Sequence, residues 1–203
     1  ERLRRISHKK AGHTYELMYQ DNKDVVLFNL AYHFSRTLEY DKGIEYSISA
    51  GYKASNNLAP REAGQFFENA VGLIEKSGRK DVRLLDISQM LGELYELDGN
   101  YEKALMVLDK ILDKFEDDYR SANALRVKGR VMQSQSKYDD AIRNYEKGIA
   151  LAERSGLTLL KAKINGYMGK IFLRKGEYEK ALELQKAYLN ESKILGDDKE
   201  VGQ

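Results

Sequence analysis

The sequence contains no cysteine and a single proline, Pro60, in 203 residues. Without cysteine it can build neither a disulfide framework nor a thiolate metal site. That composition suits a reducing compartment, and a cytoplasmic location is the expectation. No stretch approaches 18 consecutive apolar residues, so the sequence shows no membrane-spanning segment, and no signal peptide is visible. A net charge of +2 gives no general steering toward nucleic acid or a membrane. The basic run Arg2-Leu3-Arg4-Arg5 is local and reads as a solvated helix face. The first residue is Glu1 rather than Met, which suggests a piece of something larger.

What is present favours helix. The chain is poor in proline and rich in Ala, Leu, Glu and Lys, all good helix formers. Apolar residues make up 42 % and charged residues 33 %. This mix suits many small helices with wet outer faces better than one thick core.

Internal self-similarity organises the sequence. Four segments align: Thr37-Leu-Glu-Tyr-Asp-Lys-Gly-Ile44, Asp98-Gly-Asn-Tyr-Glu-Lys-Ala-Leu105, Gln135-Ser-Lys-Tyr-Asp-Asp-Ala-Ile142 and Lys175-Gly-Glu-Tyr-Glu-Lys-Ala-Leu182. Each has a turn-like lead, a tyrosine, two polar residues, a tiny residue and an aliphatic one. Tyr101, Tyr138 and Tyr178 are 37 and 40 residues apart. Gly92/Ala104, Gly129/Ala141 and Gly169/Ala181 each pair a glycine with an alanine twelve residues later. Small residues recur where two helix backbones cross closely. Apolar stripes at helical spacing agree: Leu84, Ile87, Leu91 and Leu94, then Ala104, Leu105, Leu108, Ile111 and Leu112. Ser121 and Ser136 stand where N-caps are expected.

These segments resemble the tetratricopeptide repeat (TPR), in its longer-repeat subfamily. Gly92, Tyr95 and Ala104 match its pattern in one repeat, Gly129, Ala141 and Tyr145 in the next, and Gly169, Phe172 and Ala181 in the third. The tryptophan and late proline of the pattern are missing, and the spacings exceed the usual length of about 34. The resemblance implies an all-α solenoid of about five antiparallel helix pairs, a right-handed superhelix, forming a single domain over 1–203. Residues 84–196 hold the three clearer repeats and 1–77 degenerate ones. Ala50-Gly51, Ala63, Phe67 and Ala70 fit a further pair with helices near 40–56 and 60–77, and residues 1–19 and 24–37 would make one more. The pairing phase stays open, because Tyr40-Asp-Lys-Gly43 also reads as the turn inside a repeat. The stretches Arg4-Arg5-Ile-Ser-His8, Leu30-Ala-Tyr-His-Phe34 and Glu45-Tyr-Ser-Ile-Ser-Ala-Gly51 resemble the helical region that follows the ATPase module of large signalling proteins.

Candidate chemistry is thin. His8 and His13 are five apart, off a common helix face, and read with His33 as packing or surface histidines. Asp21-Asn-Lys-Asp24 lacks the glycine and glutamate of a calcium loop, with Val26 and Tyr32 in their places, and reads as a polar interhelix turn. No Walker-type phosphate loop or nucleophile elbow occurs. Asp117-Asp118, Asp139-Asp140 and Asp197-Asp198 read as complements to helix dipoles. Fourteen tyrosines read mainly as core residues. No catalytic residue, cofactor or metal is expected.

By the resemblance, the first helix of each pair lines a groove that binds a protein or peptide. The groove-facing positions are Asp86, Gln89, Glu93 and Glu96; Asn123, Arg126, Arg130 and Gln133; Lys163, Gly166, Lys170 and Leu173; and, in the degenerate part, Ile48, Tyr52 and Ser55. Some family members clamp a terminal carboxylate with an Asn and a Lys. Glu93, Arg130 and Lys170 replace that Asn, so the clamp is not carried over. The expected function is a protein-interaction scaffold in a regulatory protein, with a peptide sensor that changes shape as the alternative. Nucleic acid and membrane are not expected partners. The array is expected to continue past Gln203, with a new helix opening after Gly196. An uncovered last pair would then expose Leu182, Leu189 or Ile194 and favour a homodimer.

Overall fold

The computed structural model describes residues 1–78, 81, 83–114 and 117–194, without the side chains of 114, 192 and 194. Among these residues there are ten α-helices, one 3-10 turn and no strand. The chain divides into two compact units, Glu1–Asp98 and Gly99–Gln203. The first contains α1 (Arg2–Met18), a 3-10 turn (Lys23–Val26), α2 (Leu27–Phe34), α3 (Tyr40–Asn56), α4 (Pro60–Ser77) and α5 (Arg83–Leu97). The second contains α6 (Tyr101–Lys114), α7 (Asp118–Ser134), α8 (Tyr138–Arg154), α9 (Thr158–Lys175) and α10 (Tyr178–Ile194). Links of two or three residues between α7, α8, α9 and α10 force each helix to run antiparallel to the one before. The architecture is an all-α solenoid of helix pairs.

One packing device recurs inside the pairs. A Cβ added at Gly129 on α7 would lie 2.2 Å from the Tyr145 ring on α8. One at Gly51 on α3 would lie 2.6 Å from the Phe67 ring on α4, and one at Gly169 on α9 would lie 2.9 Å from Gln185 on α10. In each case the knob follows its glycine by sixteen residues. A bare backbone is the socket into which the second helix inserts a large side chain. This settles the pairing phase. The α3 and α4 helices form a pair built like α7 and α8, so Tyr40-Asp-Lys-Gly43 is the first turn of a first helix and not the turn inside a repeat.

Both cores follow from the apolar stripes. In the first unit Val26, Leu27, Leu30, Ala31, Phe34, Tyr46 and Ala50 cluster. In the second, Ala122, Ala141, Tyr145, Ala152, Leu160, Ile164, Met168 and Ile171 do so. Burying each large side chain stabilises its unit by about 1.5–3 kcal/mol. At the head of α5 the buried residue is Leu85 rather than Leu84, which is only half-buried. Tyrosine serves the core less than expected: Tyr46 and Tyr145 are buried, whereas Tyr32, Tyr119 and Tyr178 are exposed.

Helix ends correct two expectations. Asp117, not Ser121, caps α7, its carboxylate accepting from Arg120 N, while Ser121 N closes the first helical turn onto Asp117 O. Ser136 does not cap α8; it sits at φ +60° in the preceding turn, and Lys137 holds the cap position without a side-chain hydrogen bond. Asp139 and Asp140 lie in the first turn of α8, and Pro60 opens α4 where its missing N–H costs nothing. The second helix, expected over 24–37, is shorter. It begins as a 3-10 turn and stops at Phe34, where Thr37 Oγ1 donates to Phe34 O (2.9 Å) and accepts from Glu39 N (3.1 Å). That buried hydroxyl satisfies the helix end and starts the turn into α3. Asp197, Asp198 and the helix expected after Gly196 lie outside the described residues, as does the Ile194 side chain.

Candidate functional site

On α7, Asn123, Arg126 and Arg130 follow three- and four-residue steps and so share one face. The adjoining face, about 100° round the helix, buries Ala122, Leu125 and Gly129. On α9, Lys163, Tyr167 and Lys170 share a face in the same way, with Ile164, Met168 and Ile171 buried behind them. The two faces meet within the second unit. Tyr167 is the meeting point: Arg130 lies 5.4 Å, Lys170 5.5 Å and Arg126 5.9 Å from its ring centroid. The Tyr167 ring stacks on the buried Tyr145, with centroids 6.3 Å apart. The cationic cluster therefore stands directly over the socket that locks α7 to α8.

Beside this cluster a cleft of about 510 Å³ opens between α7, α9 and the Gly156–Leu157 turn. Tyr119, Asn123, Arg126, Lys163 and Tyr167 line it, and the described lining carries no carboxylate. Asn123 is only 6 % exposed, and its Oδ1 accepts from Arg126 Nε at 2.6 Å. This contact fixes the guanidinium plane at the cleft wall. An aromatic floor with several cations can hold a carboxylate between point charges and stack an apolar ring beside it.

Of the fifteen expected groove positions, the structure brings Asn123, Arg126, Arg130, Lys163 and Lys170 together around Tyr167 and the cleft. Asp86, Gln89 and Glu93 lie instead on α5 in the first unit, Asp86 exposed and the others half-buried. Tyr119 and Tyr167 were not among the residues expected from the sequence. Tyr167 was legible there, because it stands four residues after Lys163 and three before Lys170 on one helical face.

The three histidines lie in the contact of α1 with the rest of the first unit. His8 Nδ1 meets His33 Nδ1 at 3.1 Å. His13 contacts both Glu16 and Glu39 at 3.1 Å. Glu16 also accepts from Lys42 Nζ (2.5 Å) and Tyr46 Oη (2.6 Å). Burial pushes the Glu16 carboxyl up, but these bonds outweigh it and hold the group below the usual carboxylate range. Burial, then the electrostatic influence of the neighbouring His8 and Arg36, holds His33 below the usual imidazole range. Among the described residues no group of three or more His, Asp and Glu is placed to hold a metal, and no helix is long and apolar enough to cross a membrane.

A family model for the tetratricopeptide repeat matches residues 84–154 and 120–190, so that 107 of the 203 residues (84 to 190) are covered. Tetratricopeptide repeat protein 29 of Homo sapiens is 30 % identical over 113 residues, 54 % of this chain and 24 % of that protein. Its Macaca fascicularis counterpart is 31 % identical over 111 residues, 53 % of this chain and 23 % of that protein. The chain thus spans about a quarter of the length of the curated relatives it matches. Among solved structures, aspartyl phosphate phosphatase F from Bacillus subtilis superposes with a TM-score of 0.71 at 16 % identity, over 96 % of this chain and 51 % of that one. The nearly identical TPR-like repeats of a putative kinesin light chain from Podosopora anserina give 0.67 at 14 % identity, over 97 % and 96 %. At these identities the likeness is one of fold.

Proposed function

Because the chain belongs to the tetratricopeptide-repeat family, whose repeats generally mediate protein–protein interaction, we propose that it is a non-enzymatic binding module whose α7–α9 groove takes an acidic segment of a partner protein. The observation that carries this reading is the convergence of Arg126, Arg130 and Lys170 on Tyr167 beside a cleft whose described lining holds no carboxylate. Charge of one sign gathered on one face favours a partner of the other sign and speeds its encounter. Asp86, Gln89 and Glu93 on α5 would serve a different portion of the partner.

The reading extends to the role of the chain in its protein. The segments around His8, Phe34 and Gly51 that resemble the helical region following an ATPase module support a regulatory arm of a cytoplasmic signalling protein. At the other end, Leu182 is 56 % and Leu189 36 % exposed on α10, which supports self-association through the last helix pair.

Amide shift mapping of the full chain with a dodecapeptide of alternating Glu and Tyr tests the groove. The expected result is saturable shifts centred on Tyr119, Asn123, Arg126, Lys163 and Tyr167. Shifts centred elsewhere would remove the groove from the account.

A further inference from the structure

A second cleft, of about 630 Å³, opens in the first unit between the start of α1, the loop after α2 and the last turn of α4. Arg4 and Arg5 reach it from α1, Arg36 from the loop and Lys76 from α4, with His8 and Tyr32 on its wall. These cations come from three elements far apart in sequence. Against four fixed positive charges the described lining carries one carboxylate, Glu1, whose Oε1 accepts from Arg5 at 3.2 Å. Among the described residues no carboxylate is ion-paired with Arg4, Arg36 or Lys76. Gathering like charges in one cleft opposes folding, and a bound anion offsets that repulsion.

The donors are also set for an anion. The Arg36 guanidinium lies 3.8 Å over the Tyr32 ring, and its Nη1 donates to Tyr32 O at 2.8 Å. Nη1 also donates to Ser35 Oγ at 3.3 Å. These contacts fix the plane of the fork and leave Nε and Nη2 to a ligand. Arg5 Nε is buried and has no acceptor. Several donors and four charges exceed what one carboxylate can satisfy. A tetrahedral dianion with three exposed oxygens meets two guanidinium forks and an ammonium at once.

We infer that this cleft binds a phosphate dianion, either free or as a phosphomonoester. It is separate from the α7–α9 groove and stands whether or not that groove binds a partner. It lies at helix ends and an inter-pair loop, not on the inner faces of first helices.

The test is a titration of the isotope-labelled full chain with inorganic phosphate, with sodium chloride at matched ionic strength as the control. The expected result is saturable amide shifts confined to residues 2–8, 35–37 and the last turn of α4. The double variant Arg4→Ala/Lys76→Ala alters two exposed side chains, so it should melt like the parent and bind at least tenfold more weakly. Arg36→Lys keeps the charge, removes the fork, and should also weaken binding. A parallel arm uses N-acetyl-phosphoserine amide: tighter binding than inorganic phosphate assigns a phosphorylated partner, and equal or weaker binding assigns free phosphate. Shifts that grow linearly without saturating, shifts equal to those in chloride, or a double variant that binds within twofold of the parent would overturn the site.

Discussion

A methyl group at Gly129 would sit inside the Tyr145 ring, whose Oη is hydrogen-bonded with Gln133 Oε1 at 3.1 Å. The ring has no open side to move to, because it is fully buried and stacked on Tyr167. Gly129→Ala should therefore destabilise the second unit by about 1–3 kcal/mol. Gly64, in the second turn of α4, is the opposite case: its added Cβ meets nothing within 4 Å. Gly64→Ala should stabilise by about 0.5–1 kcal/mol through helix propensity alone. Urea melts of both variants check the pair of signs, and equal effects would show that the glycine socket is not what locks the helices. Ala141→Leu, at a fully buried alanine, should cost about 1–3 kcal/mol for the same reason. An unchanged melt would break the repeat register.

Helix α1 is held differently from the others. Gly12 is its one buried residue among those described. Beside the packing of Gly12 and Tyr15 on the Phe34 cluster, α1 is held by polar contacts, through Glu16 to Lys42 and Tyr46, and through Lys9 and His13 to Glu39. The Lys9 hydrogen bond is the largest influence holding Glu39 below its ordinary range, and Glu16 is lowered as well. For a carboxyl lowered on folding, the unfolded chain takes up protons first. Its stabilisation is full above the ordinary value of 4.5 and is lost as pH falls through the folded value. Amide protection in α1 should hence fall below about pH 4.5 ahead of protection in α8, and Glu16→Gln should flatten that difference. Protection lost in step in both helices would contradict this. Elements of this scale were the most legible in the sequence. The helices 40–56 and 60–77 stand in the structure at the expected bounds, because Pro60 and the Ala63, Phe67, Ala70 spacing carry a strong local signal. The caps at Ser121 and Ser136 were not legible, since serine marks a turn as readily as a cap, and Asp117 competed for the same helix start. Nor was the basic cleft of the first unit. Its cations lie in three short stretches that only folding brings together, and Arg2-Leu3-Arg4-Arg5 alone reads as an ordinary wet face.

For the molecule as a whole, the described end of the array presents Leu182 and Leu189 to solvent. Sedimentation at rising concentration should show self-association that Leu182→Glu/Leu189→Glu abolishes, and a strictly monomeric parent would remove that proposal. The central claim concerns partner binding by the α7–α9 groove, and charge reversal tests it most directly. The measurement is the affinity of an acidic aromatic peptide for the parent chain and for Arg126→Glu/Arg130→Glu, with thermal melts of both. Two attractive contacts near Tyr167 become repulsive, so the account predicts at least a thirtyfold loss of affinity, or about 2 kcal/mol, and little change in melting. Equal affinity in a folded double variant would contradict it.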